Sequence, residues 1–234
     1  MLNGLTVSAW EARVLGKLDD HPNIATAQDY WEDRETAVMV SRYLSGGTLL
    51  DRIARESGTG LPVDSILRIA TEIASGLEHI HGRRILYRDL QPRNVLFDEW
   101  GTVHLVDFDT AVSLDEGEMS DPSHRPVIDH MAPELTDGSS ADERADLYSL
   151  GATIYEMCQG RPPFTGTRTE ILAARRTSPP PLERDDLPGA LKDLVLCLVA
   201  AERDQRPTST AEVVKRLEDL RMAWAAQESA AARG

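Results

Sequence analysis

The chain has 234 residues, 41% of them hydrophobic and 27% charged, with a formal net charge of −14. That is enough chain for one substantial core or two closely packed lobes, and its composition is ordinary for a folded globular protein. The acidic balance disfavours the phosphate-backbone binding that needs a basic surface, and no apolar run approaches the length of a membrane span.

The first residues, Met-Leu-Asn-Gly-Leu-Thr, lack a basic region followed by an apolar one. A signal peptide is therefore not expected, and the cytoplasm is the default location. Residues 8–18 carry apolar side chains near helical spacing, and Pro22 ends that helix. Residues 25–30 and 36–40 read as two short strands joined by a polar turn. A short helix over 48–55 follows the paired glycines Gly46 and Gly47. The clearest amphipathic helix covers 62–81, with Ile66, Ile69, Ala70, Ile73, Leu77 and Ile80 at three- and four-residue steps and Gly82 as its stop.

Residues 95–97 and 103–106 read as a hairpin. Further helices are predicted over 142–159, stopped by Gly160, and over 169–177 and 191–200. A last helix opens at Ser209-x-x-Glu212, the pattern of a capping box. Cys158 and Cys197 show no paired spacing, so both are expected to be reduced and buried. The six histidines show no metal-ligand spacing.

Two runs carry the chemistry. Tyr87-Arg88-Asp89-Leu90-Gln91-Pro92-Arg93-Asn94 places an aspartate and an asparagine five residues apart on a loop that feeds a strand. Val106-Asp107-Phe108-Asp109 places another aspartate just past the next strand. Phosphoryl transfer from a magnesium nucleotide needs one carboxylate to orient a hydroxyl, and an amide and a second carboxylate to hold the metal.

The chain resembles the protein kinase family, in particular its bacterial serine/threonine members. The resemblance rests on the known signature set in order: the two runs above, Met131-Ala132-Pro133-Glu134, Asp146-Leu-Tyr-Ser-Leu-Gly151, Gly160-Arg-Pro-Pro-Phe164 and Arg206-Pro207-Thr208. It extends from about residue 8 to residue 222. It implies an α+β kinase-like fold with a mostly helical lower lobe and an upper lobe of one helix and two strands. It divides the chain into an upper part over 1–43, a lower part over 44–222 and a helical tail or linker over 223–234.

The resemblance also implies roles. Asp89 orients the acceptor hydroxyl, Asn94 and Asp107 hold Mg2+ against ATP, and Arg42, Tyr43 and Leu44 form the hinge that holds adenine. Glu11 takes the place of the helix glutamate that pairs with a lysine. Arg88 receives a phosphate from the activation segment over 107–134, for which Ser113, Ser120 and Ser123 are candidates. Glu134 and Arg206 tie that segment to the lower lobe, and Asp146 begins the buried central helix.

Departures from the family pattern are equally specific. There is no Gly-x-Gly-x-x-Gly and no lysine strand, so upstream sequence is expected in the natural module. Tyr87 stands for a histidine, Asp109 for a glycine, Gln91 for a lysine and Val127 for a threonine. The implied function is transfer of the ATP γ-phosphate to a protein hydroxyl, doubtful for these residues alone. The alternative is a pseudokinase-type module that binds a regulatory protein partner. Fused upstream or downstream modules are expected; nucleic acid and membrane are not.

Overall fold

The computed structural model describes residues 2–7, 9–25, 27–32, 37–115, 128–136, 141–177 and 179–232. The upper part is an antiparallel sheet of β1 (Leu2–Val7), β3 (Ala37–Arg42) and β2 (Ala27–Glu32), in the order β1-β3-β2, with α1 (Ala9–Leu15) between the first two strands in sequence. The expected two strands are therefore three. Leu2-Asn-Gly-Leu-Thr-Val has no clean alternation and carries an interior glycine, so local pattern gives little sign of a strand. Its pairing with β3, from Leu2 opposite Arg42 to Val7 opposite Ala37, supplies the ladder instead.

The lower part is helical. Thr48 caps α2 (Leu49–Arg55) in a reciprocal box: its Oγ1 accepts from the Asp51 N–H at 3.1 Å, and Asp51 accepts from the Thr48 N–H at 3.0 Å. In α3 (Val63–Gly82) all six residues of the predicted stripe are buried. Gly82 is its last residue, not a left-handed stop. The left-handed position is Arg84 at φ 56°, whose N–H bonds the His81 carbonyl at 2.8 Å.

After the short strand β4 (Ile85–Leu86) come the hairpin β5 (Val95–Phe97) and β6 (Val103–Leu105), and β7 (Val112–Ser113), which pairs with β4. The central helix α4 (Glu143–Gln159) is buried on nearly every side, so it is a core helix. It packs against α3 and against α6 (Gly189–Leu198). A β-carbon on Gly151 would lie 2.5 Å from the Leu198 Cβ, so this close crossing requires glycine.

Two smaller expectations are corrected. Ser209 caps α7 (Thr210–Ala231) by accepting the Glu212 N–H at 3.3 Å, but the Glu212 carboxylate turns to the Thr208 N–H, leaving half a box. Cys158 is buried, and burial pushes its thiol up to about 12, whereas Cys197 is half-exposed on α6 with Sγ against the Gln205 carbonyl at 3.1 Å. Helix α7 continues across residue 222 to Ala231. Among the described residues no helix is long and apolar enough to cross a membrane.

A second apolar cluster lies beneath residues 128–136. Ile128 and Ala132 pack there on Tyr148 and Ala152 of α4, with Phe164 and with Ile171 of α5 (Arg168–Ala174). The main core unites α1, α3, α4, α6 and α7 with the hairpin.

Candidate active site

Asp146, in the first turn of α4, has no solvent exposure and organises the loop before Asp89. Its carboxylate accepts the Tyr87 N–H at 2.8 Å and the Arg88 N–H at 2.7 Å, and meets His81 Nε2 at 2.7 Å. Burial favours a neutral His81 ring, but hydrogen bonds to Asp146 and Glu143 outweigh it and push the imidazolium up to about 9. His81 Nδ1 also meets Thr210 Oγ1 at 2.6 Å, so one ring joins α3, α4 and α7. Arg88 sits at φ 69°, a left-handed conformation that residues other than glycine rarely hold, and the bond to Asp146 helps to hold it there.

Asp89 and Asn94 are in direct contact. Asn94 Nδ2 donates to Asp89 Oδ2 at 2.8 Å and to the Asp89 carbonyl at 3.0 Å, while Gln91 Nε2 donates to Asp89 Oδ1 at 2.8 Å. All three side chains are buried. A single turn of 3-10 helix over Pro92–Asn94 delivers Asn94 to the start of β5. The Val106 N–H bonds the Asn94 carbonyl at 3.1 Å, which ties the approach to Asp107 to the same hairpin. Asp107 itself is exposed, at φ 63°, and its carboxylate faces the Asp109 N–H at 3.5 Å.

A cavity of about 340 Å³ opens beside these loops. The three expected hinge residues Arg42, Tyr43 and Leu44 line it, together with Asp107, Asp109 and Glu11. Gly46 lets the hinge cross the hairpin: a β-carbon there would fall 2.7 Å from Phe97 Cβ. The Arg42 guanidinium lies 4.4 Å from the Trp100 ring centroid and 3.0 Å from Glu99, so it is engaged at the mouth.

Glu11 accepts the Phe108 N–H at 3.2 Å from across the cavity. Burial raises its carboxyl to about 7, with Asp109 and Asp107 adding to the shift and the bond from Phe108 opposing it. Trp10 Nε1 donates to the Ala111 carbonyl at 2.7 Å, so α1 is fastened to the segment after Asp107 at two points. Tyr87, where the family has histidine, donates its hydroxyl to the Val106 carbonyl and packs on Phe108 with ring centroids 5.0 Å apart.

Glu134 and Arg206 form a two-pronged pair at 2.6 and 3.0 Å, and Arg206 also donates to the carbonyls of Arg144, Ala200 and Ala201. Ser113 is buried in β7, away from the solvent access a phosphate acceptor needs. Ser120, Ser123 and Val127 lie outside the described residues.

Sequence reasoning missed two groups here. His130 meets Glu156 of α4 at 2.6 Å with both residues buried. Arg175, at the end of α5, donates to the Met131 carbonyl at 2.8 Å and to Thr136 Oγ1 at 2.5 Å. Neither belongs to a signature run, and an arginine among exposed helix residues gives no local sign of burial.

Among the described residues no three His, Cys, Asp or Glu side chains cluster as a metal site. By donor chemistry Asn94 offers an amide oxygen and Asp107 a carboxylate. That oxygen pair suits a hard divalent ion that keeps waters and shares phosphate oxygens.

A model of the protein kinase domain family matches residues 5–217. The chain belongs to the protein kinase domain family. It is 31% identical over 216 residues to a probable serine/threonine-protein kinase of Clostridium perfringens, covering 90% of this chain and 31% of the relative. It is 32% identical over 202 residues to a rhodopsin kinase of Rattus norvegicus, covering 84% and 36%. It is 35% identical over 162 residues to a serine/threonine-protein kinase of Arabidopsis thaliana, covering 69% and 34%. The chain thus spans about a third of the length of the curated relatives it matches.

Proposed function

We propose that the chain carries the site of an ATP-dependent serine/threonine protein kinase, with a protein hydroxyl as acceptor. The supporting observation is the direct bonding of Asp89 to Asn94 beside a cavity walled by Asp107 and the hinge. In this reading Asp89 orients the acceptor hydroxyl. Its buried amide partners Gln91 and Asn94 fix the carboxylate before substrate arrives. Asn94 and Asp107 would hold Mg2+, which when bound neutralises the phosphate oxygens. Tyr43 and Leu44 present backbone groups to adenine. Residues 1–43 form the part above the cavity, 44–222 the part below, and 223–234 a tail.

One observation favours a second reading. The cavity is lined by three carboxylates, Glu11, Asp107 and Asp109, and by no lysine among the described residues. Gln91 puts a neutral amide where the family carries a lysine. A nucleotide's phosphates therefore meet carboxylate repulsion that a bound metal would offset. For these residues by themselves we expect weak transfer or none, and service as a regulatory module that binds nucleotide or a protein partner.

A thermal-shift titration separates the readings. Stabilisation by ATP that requires magnesium and is lost in Asp107→Asn supports metal-assisted nucleotide use, whereas stabilisation indifferent to both sinks it. Radiolabel transfer to a basic protein, reduced roughly 100-fold or more in Asp89→Ala, marks the active kinase. Its absence in the presence of magnesium-dependent binding marks the regulatory module.

A further inference from the structure

Two arginines are buried beneath the segment that follows Ile128, and they differ in their partners. Arg206 holds the Glu134 carboxylate. Arg175 is 1% exposed, and among the described residues no carboxylate lies within ion-pair distance of it. Its Nη1 binds the Met131 carbonyl, its Nη2 binds Thr136 Oγ1, and its buried Nε has no hydrogen-bond partner among the described residues. The buried Tyr148 hydroxyl in the same cluster also lacks a partner. A buried cation satisfied only by neutral acceptors is costly, because removing charge from water is repaid by an opposing charge.

Among the described residues, the side chain hydrogen-bonded to this guanidinium is that of Thr136. The residue is exposed, and its hydroxyl donates to the Pro133 carbonyl at 2.9 Å while accepting from Arg175. Arg168 and Arg176 act on Arg175 as like charges, and the carboxylate that acts on it, Glu134, is already committed to Arg206.

We propose that Thr136 is a phosphorylation site whose phosphate is received by the buried Arg175. A serine/threonine kinase acting in trans transfers the terminal phosphoryl group of ATP to Thr136 Oγ1. The Oγ1–P bond forms, the P–O bond to the departing ADP breaks, and the hydroxyl proton is released. The phosphate gives Arg175 the anion it lacks, through hydrogen bonds to a charged acceptor in place of one to a neutral hydroxyl. The bond to Pro133 is lost in exchange. The result locks the Met131–Thr136 stretch onto α5, beside the Glu134–Arg206 pair that already fixes it to the lower part. This inference concerns the closing end of the segment and does not depend on transfer by Asp89.

The test is the full chain carrying phosphothreonine at position 136 by semisynthesis. Phosphorus NMR titration is expected to show the second phosphate ionisation about one unit lower in the folded chain than in the same chain unfolded in urea. The melting temperature is expected to rise by about 3 °C over the unmodified chain, and Arg175→Gln carrying the same phosphate to lose both effects. Should Arg175→Gln fail to fold, the folded-against-unfolded titration decides alone. Equal ionisation in the two states overturns the proposal. So does a matching rise in melting temperature when inorganic phosphate is added to the unmodified chain, which would make this a site for a free anion.

Discussion

Asp146 and Glu11 are both buried carboxylates, both face the active-site loops, and the protein treats them in opposite ways. Asp146 accepts two backbone N–H groups and the His81 ring, and a protonated histidine beside it balances its charge. Glu11 lies against Phe108 with two further carboxylates near, and its carboxyl is raised to about 7. Burial alone therefore does not decide whether a carboxylate is an anchor; the donors around it do. The lower part is built round a charge balanced by donors and a cation, while at the cavity wall burial and neighbouring carboxylates raise the acid.

The hardest blow to this contrast is Asp146→Ala. It leaves the Tyr87 and Arg88 N–H groups and the protonated His81 without their acceptor, and is expected to cost about 3–5 kcal/mol. Urea denaturation measures it; a loss under 1 kcal/mol would mean that Asp146 does not hold the loop.

Glu11 gives the next largest effect, and its sign is opposite to that of an ordinary paired acid. Its folded value near 7 lies above the usual carboxylate value of 4.5. Between these the folded chain holds more protons than the unfolded one, so stability falls as pH rises from 4.5 through 7. The loss is on the order of 3 kcal/mol. Glu11→Gln should flatten that slope between pH 5 and 8, and an unchanged slope would show that Glu11 is ionised in the fold.

His81 sharpens the comparison in the next pH window. Its folded value of about 9 lies above the usual 6.5. Its contribution is complete below 6.5 and is lost as pH rises through 9. Replacing His81 with Gln should lower stability at pH 6 and remove most of the decline above pH 7. A decline that persists unaltered would assign it to other groups.

Thr48→Ala is the smallest change and serves as the control. It removes the cap of α2 outside both clusters, costs about 1 kcal/mol and leaves the pH slope alone. A changed slope would mean that the two clusters are not as local as their bonding indicates.

The helices were legible because a three-to-four-residue repeat is a local property, and each predicted helix formed within a few residues of its expected bounds. Of the site, the sequence offered names: Arg42, Tyr43, Leu44 and Asp107 line the cavity, and Asp89 bonds Asn94 directly. Strand β1 was not legible, since its residues alternate poorly and its ladder comes from β3, thirty to forty positions away. Nor was the exposure of Cys197, the burial of Ser113 or the hold of Arg175 on Thr136, each of which depends on what another element brings alongside.

The order of residues by itself determined the family, the helices and the identity of the groups around the cavity, because motif spacing and hydrophobic period are written along the chain. Only the folded arrangement decided which charges are compensated: that Asp146 meets a cation, that Glu11 meets further carboxylates, and that Arg206 has a carboxylate where Arg175 has a hydroxyl. The physical reason is that the energy of a buried charge is set by neighbours within a few ångströms in space, and those neighbours are tens of residues away in sequence.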